Sequence, residues 1–108
     1  MSLLYNVKGS SVSGGQVTTE LVAPDTDYNV KSVLLVNIHD SADARVSLFV
    51  QNDPISGTTN TYELTHAVVI PSGVSLALDG ATMFRFPSQY GLYITVGSND
   101  IVDVTVNT

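Results

Sequence analysis

The sequence predicts an all-β protein: a two-sheet antiparallel β-sandwich, jelly-roll or immunoglobulin-like, with about eight strands. Three observations carry that expectation. Short alternations of apolar and polar residues recur at period two. Clusters of Gly, Pro, Asn, Asp and Ser separate them as turns. No stretch sustains a helical period. The chain has 108 residues, which suits one domain spanning 1–108. It is rich in Val, Thr, Ser, Asn, Asp and Gly, residues of strands and turns.

In chain order, Leu3 to Lys8 reads as a short strand. Gly9 to Gly15 follows as a Gly- and Ser-rich turn. Gln16 to Val22 alternates, with Val17, Thr19 and Leu21 on one side and Thr18 and Glu20 on the other. Pro24 to Asn29 is a polar turn. The run Val30 to His39 is the longest apolar segment. Its period places Leu34, Val36 and Ile38 on one face and Val33, Leu35 and Asn37 on the other. Both faces are apolar, so this strand is expected at the centre of a sheet, covered on two sides. The first face is expected inward.

The short turn Asp40 to Asp43 leads into Ala44 to Gln51, expected to form a hairpin with the preceding strand. Val46, Leu48 and Val50 face inward there, and Phe49 outward. Asn52 to Asn60 holds Pro54 and Gly57 and reads as a loop that can carry a contact. Tyr62 to Ile70 alternates again. Pro71-Ser72-Gly73 is a corner, because Pro fixes φ and Gly accepts positive φ. Val74, Leu76 and Leu78 form a short strand that stops at Asp79-Gly80. Ala81 to Gln89 reads as a short helical turn or an irregular cover that closes one end of the core. Tyr90 to Val96 and Ile101 to Val106 close the chain, with Tyr93 and Ile101 outward.

Val33, Leu35, Phe49, Tyr93 and Ile101 are thus expected on the face opposite the core. Together they would form an apolar patch of the kind that marks an interface. The alternative is a cover folded from Ala81 to Gln89 or from the first strand.

Several chemistries are disfavoured by the residues present. No cysteine occurs, so disulfides, thiolate zinc sites and cysteine nucleophiles are absent. The formal charge is −6, and only Lys8, Lys31, Arg45 and Arg85 are positive. Nucleic acid is therefore not an expected partner. No segment approaches the ~20 apolar residues of a membrane helix, so a membrane is not expected either. The opening Met1 to Asn6 lacks a basic start and long apolar middle. His39 and His66 have no second ligand at a recognised metal spacing, and their expected role is structural. Asp25 and Asp27, and Asp40 and Asp43, pair carboxylates in turns. They lack the twelve-residue calcium-loop pattern, and Asp serves turns through its own backbone bonds. No serine sits in a nucleophile elbow. No catalytic residue, cofactor or metal is expected.

From Val33 onward the order of features resembles small virion structural proteins of tailed bacteriophages, especially marine ones. The residues carrying the resemblance are Val33-Leu34-Leu35-Val36-Asn37-Ile38 and Val46-Ser47-Leu48-Phe49-Val50. Tyr62-Glu63-Leu64 then runs to the Ile70-Pro71-Ser72-Gly73 corner. Leu76-Ala77-Leu78-Asp79 and two closing strands follow. The resemblance implies a non-enzymatic capsid- or tail-associated module, a homo-oligomer that meets other phage structural proteins. It implies the virion as its location, after assembly in the host cytoplasm. The alternative from a different class is a carbohydrate- or receptor-binding module using its loops, chiefly Asn52 to Asn60.

Overall fold

The computed structural model describes residues 2–9, 17–24, 30–52, 60–79, 90–98 and 100–108. Its strands are β1 (Ser2–Lys8), β2 (Val17–Val22), β3 (Ser32–Asn37), β4 (Ala44–Asn52), β5 (Thr61–Ile70), β6 (Ser75–Asp79), β7 (Tyr90–Val96) and β8 (Ile101–Asn107). There is no helix among the described residues. The first sheet, A, has the order β1-β8-β3-β6, and the second, B, has the order β2-β7-β4-β5. All neighbours are antiparallel. The two sheets pack as a sandwich.

The pairing has a simple logic. First pairs with last, second with seventh, third with sixth and fourth with fifth. The chain is one long antiparallel ribbon that crosses between the sheets at each successive pair. This is the jelly-roll arrangement, and it decides between the two sandwich types the sequence allowed. It also corrects the expected hairpin of β3 with β4. These strands are consecutive, yet they lie in different sheets. The turn between them is a crossover, and β4 finds its hairpin partner in β5 instead.

The core between the sheets is aliphatic. Sheet A contributes Val7, Val33, Leu35, Val102, Val104 and Val106, and sheet B meets it with Val46, Leu48, Val50, Leu92, Ile94 and Val96. Most of these alternate along their strands, as a half-buried pleat requires. The inward sets of β4, β7 and β8 are those expected from the sequence. On β3 the structure reverses the expectation. Val33 and Leu35 are 0% exposed and belong to the core, whereas Leu34 and Val36 point outward and Ile38, beyond the strand, is exposed. Two of the five expected interface residues are therefore core residues.

Asn37 explains the reversal. Its side chain is fully buried and fully bonded. Nδ2 donates to the Ala42 carbonyl at 2.9 Å and to the Ile70 carbonyl at 2.8 Å. Oδ1 accepts the His39 N–H at 3.0 Å. The Asn37 backbone donates to Val74 O and accepts from Gly73 N. One residue thus ties the β3–β4 crossover to the β5–β6 crossover beside it. Ser72 adds a second tie, donating from its hydroxyl to the His39 carbonyl. A buried amide is tolerated because every polar group meets a partner. Once Asn37 faces inward, period two places Leu35 and Val33 inward as well. Gly73, at φ 75°, supplies the positive φ that the corner needs.

Three register shifts adjust sheet B. In β2 the register shifts between Glu20 and Val22, which lets both Leu21 and Val22 bury. Near this bulge the Tyr5 hydroxyl donates to the Leu21 carbonyl, joining the sheets at one edge. Gly91 packs there too. A Cβ on it would lie 2.7 Å from the Val22 carbonyl oxygen and 2.8 Å from Pro24 Cδ. In β5 the register shifts twice opposite Val46 to Phe49. Ala67 adopts φ 50° there, an uncommon conformation for a residue with a Cβ. Side chains replace the lost ladder bonds: Leu48 N donates to Thr65 Oγ1 and Ala67 N to Ser47 Oγ.

Two outcomes follow from this packing. Asn37→Ala strands the buried Ile70 carbonyl and the part-buried Ala42 carbonyl and His39 N–H, and should lower stability by about 2–4 kcal/mol in urea denaturation. Leu35→Asp buries an unpaired carboxylate and should abolish cooperative unfolding in a thermal melt; a native-like melt would contradict the inward assignment.

Candidate functional site

The outer surfaces of the two sheets differ in chemistry. On sheet A the register sets up rows across all four strands. Leu4, Thr105, Leu34 and Ala77 form one row, and Asn6, Asp103, Val36 and Ser75 the next. Lys8 pairs with Ile101, and Ile38 N donates to the Ile101 carbonyl. Leu4 is 76% exposed and Ile38 43%. Polar contact is confined to points such as Asn6 Nδ2, which donates to Asp103 Oδ1 at 2.7 Å. A shallow groove of about 350 Å³ runs beside β1, lined by Leu4, Asn6, Asp103 and Thr105 among others.

Sheet B presents aromatic and polar groups. Its central row is Glu20, Tyr93, Phe49 and Glu63, one residue from each strand. Phe49 and Tyr93 stack with centroids 5.8 Å apart and planes inclined by 18°. The stack accounts for Phe49 being only 9% exposed on an outer face. Thr18 and Thr95 hydroxyls meet at 3.0 Å in the neighbouring row. The β5 bulge opens a groove of about 360 Å³ beside this row, lined by Arg45, Ser47, Phe49, Glu63, His66 and Thr95 with others. Glu63 and His66 approach to 3.5 Å on its rim. A guanidinium, a carboxylate and hydroxyls along an aromatic wall can together hydrogen-bond a polyhydroxylated ligand.

The expected interface residues divide accordingly. Phe49 and Tyr93 come together on sheet B. Ile101 lies on the outer side of sheet A, so the five do not form one patch. Leu4, Leu34, Val36 and Ile38 were not singled out from the sequence. The signal is present, since the period allows two alternative faces, but a polar Asn37 is expected outward. The approach of Glu63 to His66 is not legible from alternation, because two register shifts in β5 break it.

The remaining candidates are structural or lie elsewhere. His39 Nδ1 accepts the N–H groups of Ser41 and Ala42, both at 3.1 Å, and so organises its turn. Asp100 Oδ2 accepts Arg45 N–H at 3.0 Å, and its carbonyl accepts from Gly9, which fastens the β7–β8 turn to β4 and β1. Among the described residues no three His, Cys, Asp or Glu side chains converge as a metal site. Asp25 and Asp27 lie outside the described residues, as do 53–59 of the Asn52 to Asn60 loop and the cover at 81–89. Asn60 N donates to Asn52 Oδ1 at 2.7 Å, closing the base of that loop. No helix among the described residues is long and apolar enough to cross a membrane.

No family model matches the chain, and no curated protein matches it. Several solved structures are similar. A chain in the structure of infectious bursal disease virus, Gx strain, is similar with a TM-score of 0.51 at 9% identity, over 99% of this chain and 32% of that one. This chain therefore spans about a third of that neighbour's length. The Anabaena sensory rhodopsin transducer is similar with a TM-score of 0.45 at 14% identity, over 91% of this chain and 84% of that one. The Yersinia pseudotuberculosis-derived mitogen is similar with a TM-score of 0.44 at 9% identity, over 100% and 84%. At 9% identity the likeness to the chain in the virus structure is one of fold.

Phe49→Ala removes a stacked pair and its covered area. It should lower stability by about 2–3 kcal/mol in urea denaturation while leaving the β-sheet circular dichroism intact.

Proposed function

We propose that this chain is a non-enzymatic structural module of a virion, self-associating or docking through an apolar sheet face. The observation that supports the reading most is the outer side of sheet A. There Leu4, Leu34, Val36, Ile38 and Ile101 share one surface with few charges. Apolar side chains gathered on one outer sheet face, here interleaved with Thr105, Asp103 and Asn6, are one mark of association surfaces in soluble proteins. Fold gives weaker support, as an analogy. Jelly rolls recur in viral capsid domains, and the sandwich is shared with a chain in a virus structure. The finer assignment, a head decoration or a tail or neck component of a tailed bacteriophage, rests on the sequence resemblance. Its partners would be further copies of itself and other phage structural proteins.

A second reading belongs to sheet B. The groove beside Phe49, with Arg45 and Glu63 on its walls, favours binding of a carbohydrate, and jelly rolls also serve as lectin domains. Here the ligand would sit on the sheet rather than on the Asn52 to Asn60 loop.

Light scattering and native mass spectrometry separate these readings. The structural module should associate, and Leu34→Asp should weaken association by about tenfold or more, because a carboxylate in an interface centre loses water without a partner. The domain's own melt should stay cooperative. A lasting monomer with no affinity for phage particles would sink this reading. Glycan-array binding that Arg45→Ala abolishes would favour the second.

A further inference from the structure

Four strands form the edges of the two sheets: β1 and β6 in sheet A, β2 and β5 in sheet B. An edge strand presents unpaired N–H and C=O groups, and proteins blunt such edges with charges, bulges or shortness. Three of the four are blunted here. β2 carries Glu20 and a bulge. β5 carries Glu63, two register shifts and the positive φ of Ala67. β6 has five residues and ends in Asp79.

β1 is the least protected: its one such device is a single charge, Lys8, at its last position. It pairs with β8 over seven consecutive residues without a bulge, and its sequence, Ser2-Leu3-Leu4-Tyr5-Asn6-Val7-Lys8, holds no proline and no acid. The ladder fixes which backbone groups point away from the sheet. Gly9 N donates to Asp100 O, so odd-numbered residues of β1 face β8 and even-numbered ones face outward in the sheet plane. Leu4, Asn6 and Lys8 thus offer N–H and C=O groups with no backbone partner among the described residues.

We infer that β1 pairs antiparallel with β1 of a second copy, joining the two A sheets into one continuous eight-stranded sheet. This rests on the self-association proposed above and supplies its first step, the dimer, from which contact through the sheet A face builds larger assemblies. The alignment that uses the whole strand puts Tyr5 on the twofold axis. Leu4 then faces Asn6 of the partner, Leu3 faces Val7, and Ser2 faces Lys8. The even residues form the hydrogen-bonded pairs, which is the parity that β1 leaves open. Charge selects the same edge. Each chain carries −6, and a twofold contact brings a residue close to its own copy. At the centre of β1 these residues are neutral, whereas Glu20 and Glu63 sit within the other sheet's edges. Edge pairing closes a dimer and leaves the outer face of sheet A continuous across it, available for further assembly.

The test compares the full chain with Asn6→Pro and Asn6→Ala by light scattering. Asn6→Pro removes an outward N–H while sparing the β8 ladder, since proline is tolerated on that side of an edge strand. Asn6→Ala removes only the side-chain bond to Asp103. The expected result is a dimer for wild type and Asn6→Ala, and a monomer for Asn6→Pro. If Asn6→Pro does not fold, amide exchange on wild type decides. The Leu4, Asn6 and Lys8 amides should exchange about tenfold or more slower above the dimerisation concentration than below it. Association that survives Asn6→Pro, or edge amides indifferent to concentration, overturns the edge contact and leaves the self-association reading standing. A wild-type monomer at every concentration overturns that reading itself.

Discussion

A buried amide governs the architecture. Asn37 sits where two crossovers run side by side, and its side chain serves the Ala42 carbonyl and His39 N–H of one and the Ile70 carbonyl at the start of the other. In a jelly roll the ribbon must pass from one sheet to the other, and the crossing segments have lost their ladder partners. Their backbone groups still need satisfaction. An apolar residue at this position could not supply it, and a water would need polar space that the aliphatic core lacks. The amide has both donors and an acceptor in one plane, which matches the three groups around it. Placing it inward then fixes the phase of β3, because every residue of a strand is tied to its neighbours by the pleat.

That phase decides what the surface offers. With Val33 and Leu35 in the core, the outer side of sheet A receives Leu34 and Val36, framed by Leu4, Ile38 and Ile101. The central strand remains apolar on both sides, and the functional reading moves to different side chains without changing in kind. Sheet B solves its outer face differently. Phe49 and Tyr93 cover each other, and Glu20 and Glu63 flank them in the same row. The aromatic area is thereby shared within the chain. The two surfaces therefore differ in chemistry, one carrying aliphatic side chains and one an aromatic pair among polar groups.

The edges follow the same division. Bulges in β2 and β5 serve local packing by burying Leu21 and Val22 and by opening the groove at Ala67. They also disrupt the regular spacing that another strand would need. The regular ladder of β1 with β8 keeps that spacing intact. Sheet A is thus the side of the molecule where both the face and the edge are compatible with assembly.

The sequence by itself determined the class of fold, the number and approximate limits of the strands, and the inward residues of β4, β7 and β8. These are local consequences of period two and of turn chemistry, and each can be read within a few residues. It determined the Pro71 to Gly73 corner for the same reason. The tertiary structure decided three things. It assigned consecutive β3 and β4 to opposite sheets, since strand partners in this fold are set by pairing first with last rather than by short loops. It set the phase of β3, because both of its faces are apolar and only a contact with Ile70, 33 residues away, breaks the tie. It placed Phe49, Tyr93 and Ile101 on two different surfaces, because outwardness is a property of a strand while a patch is a property of neighbouring strands in one sheet.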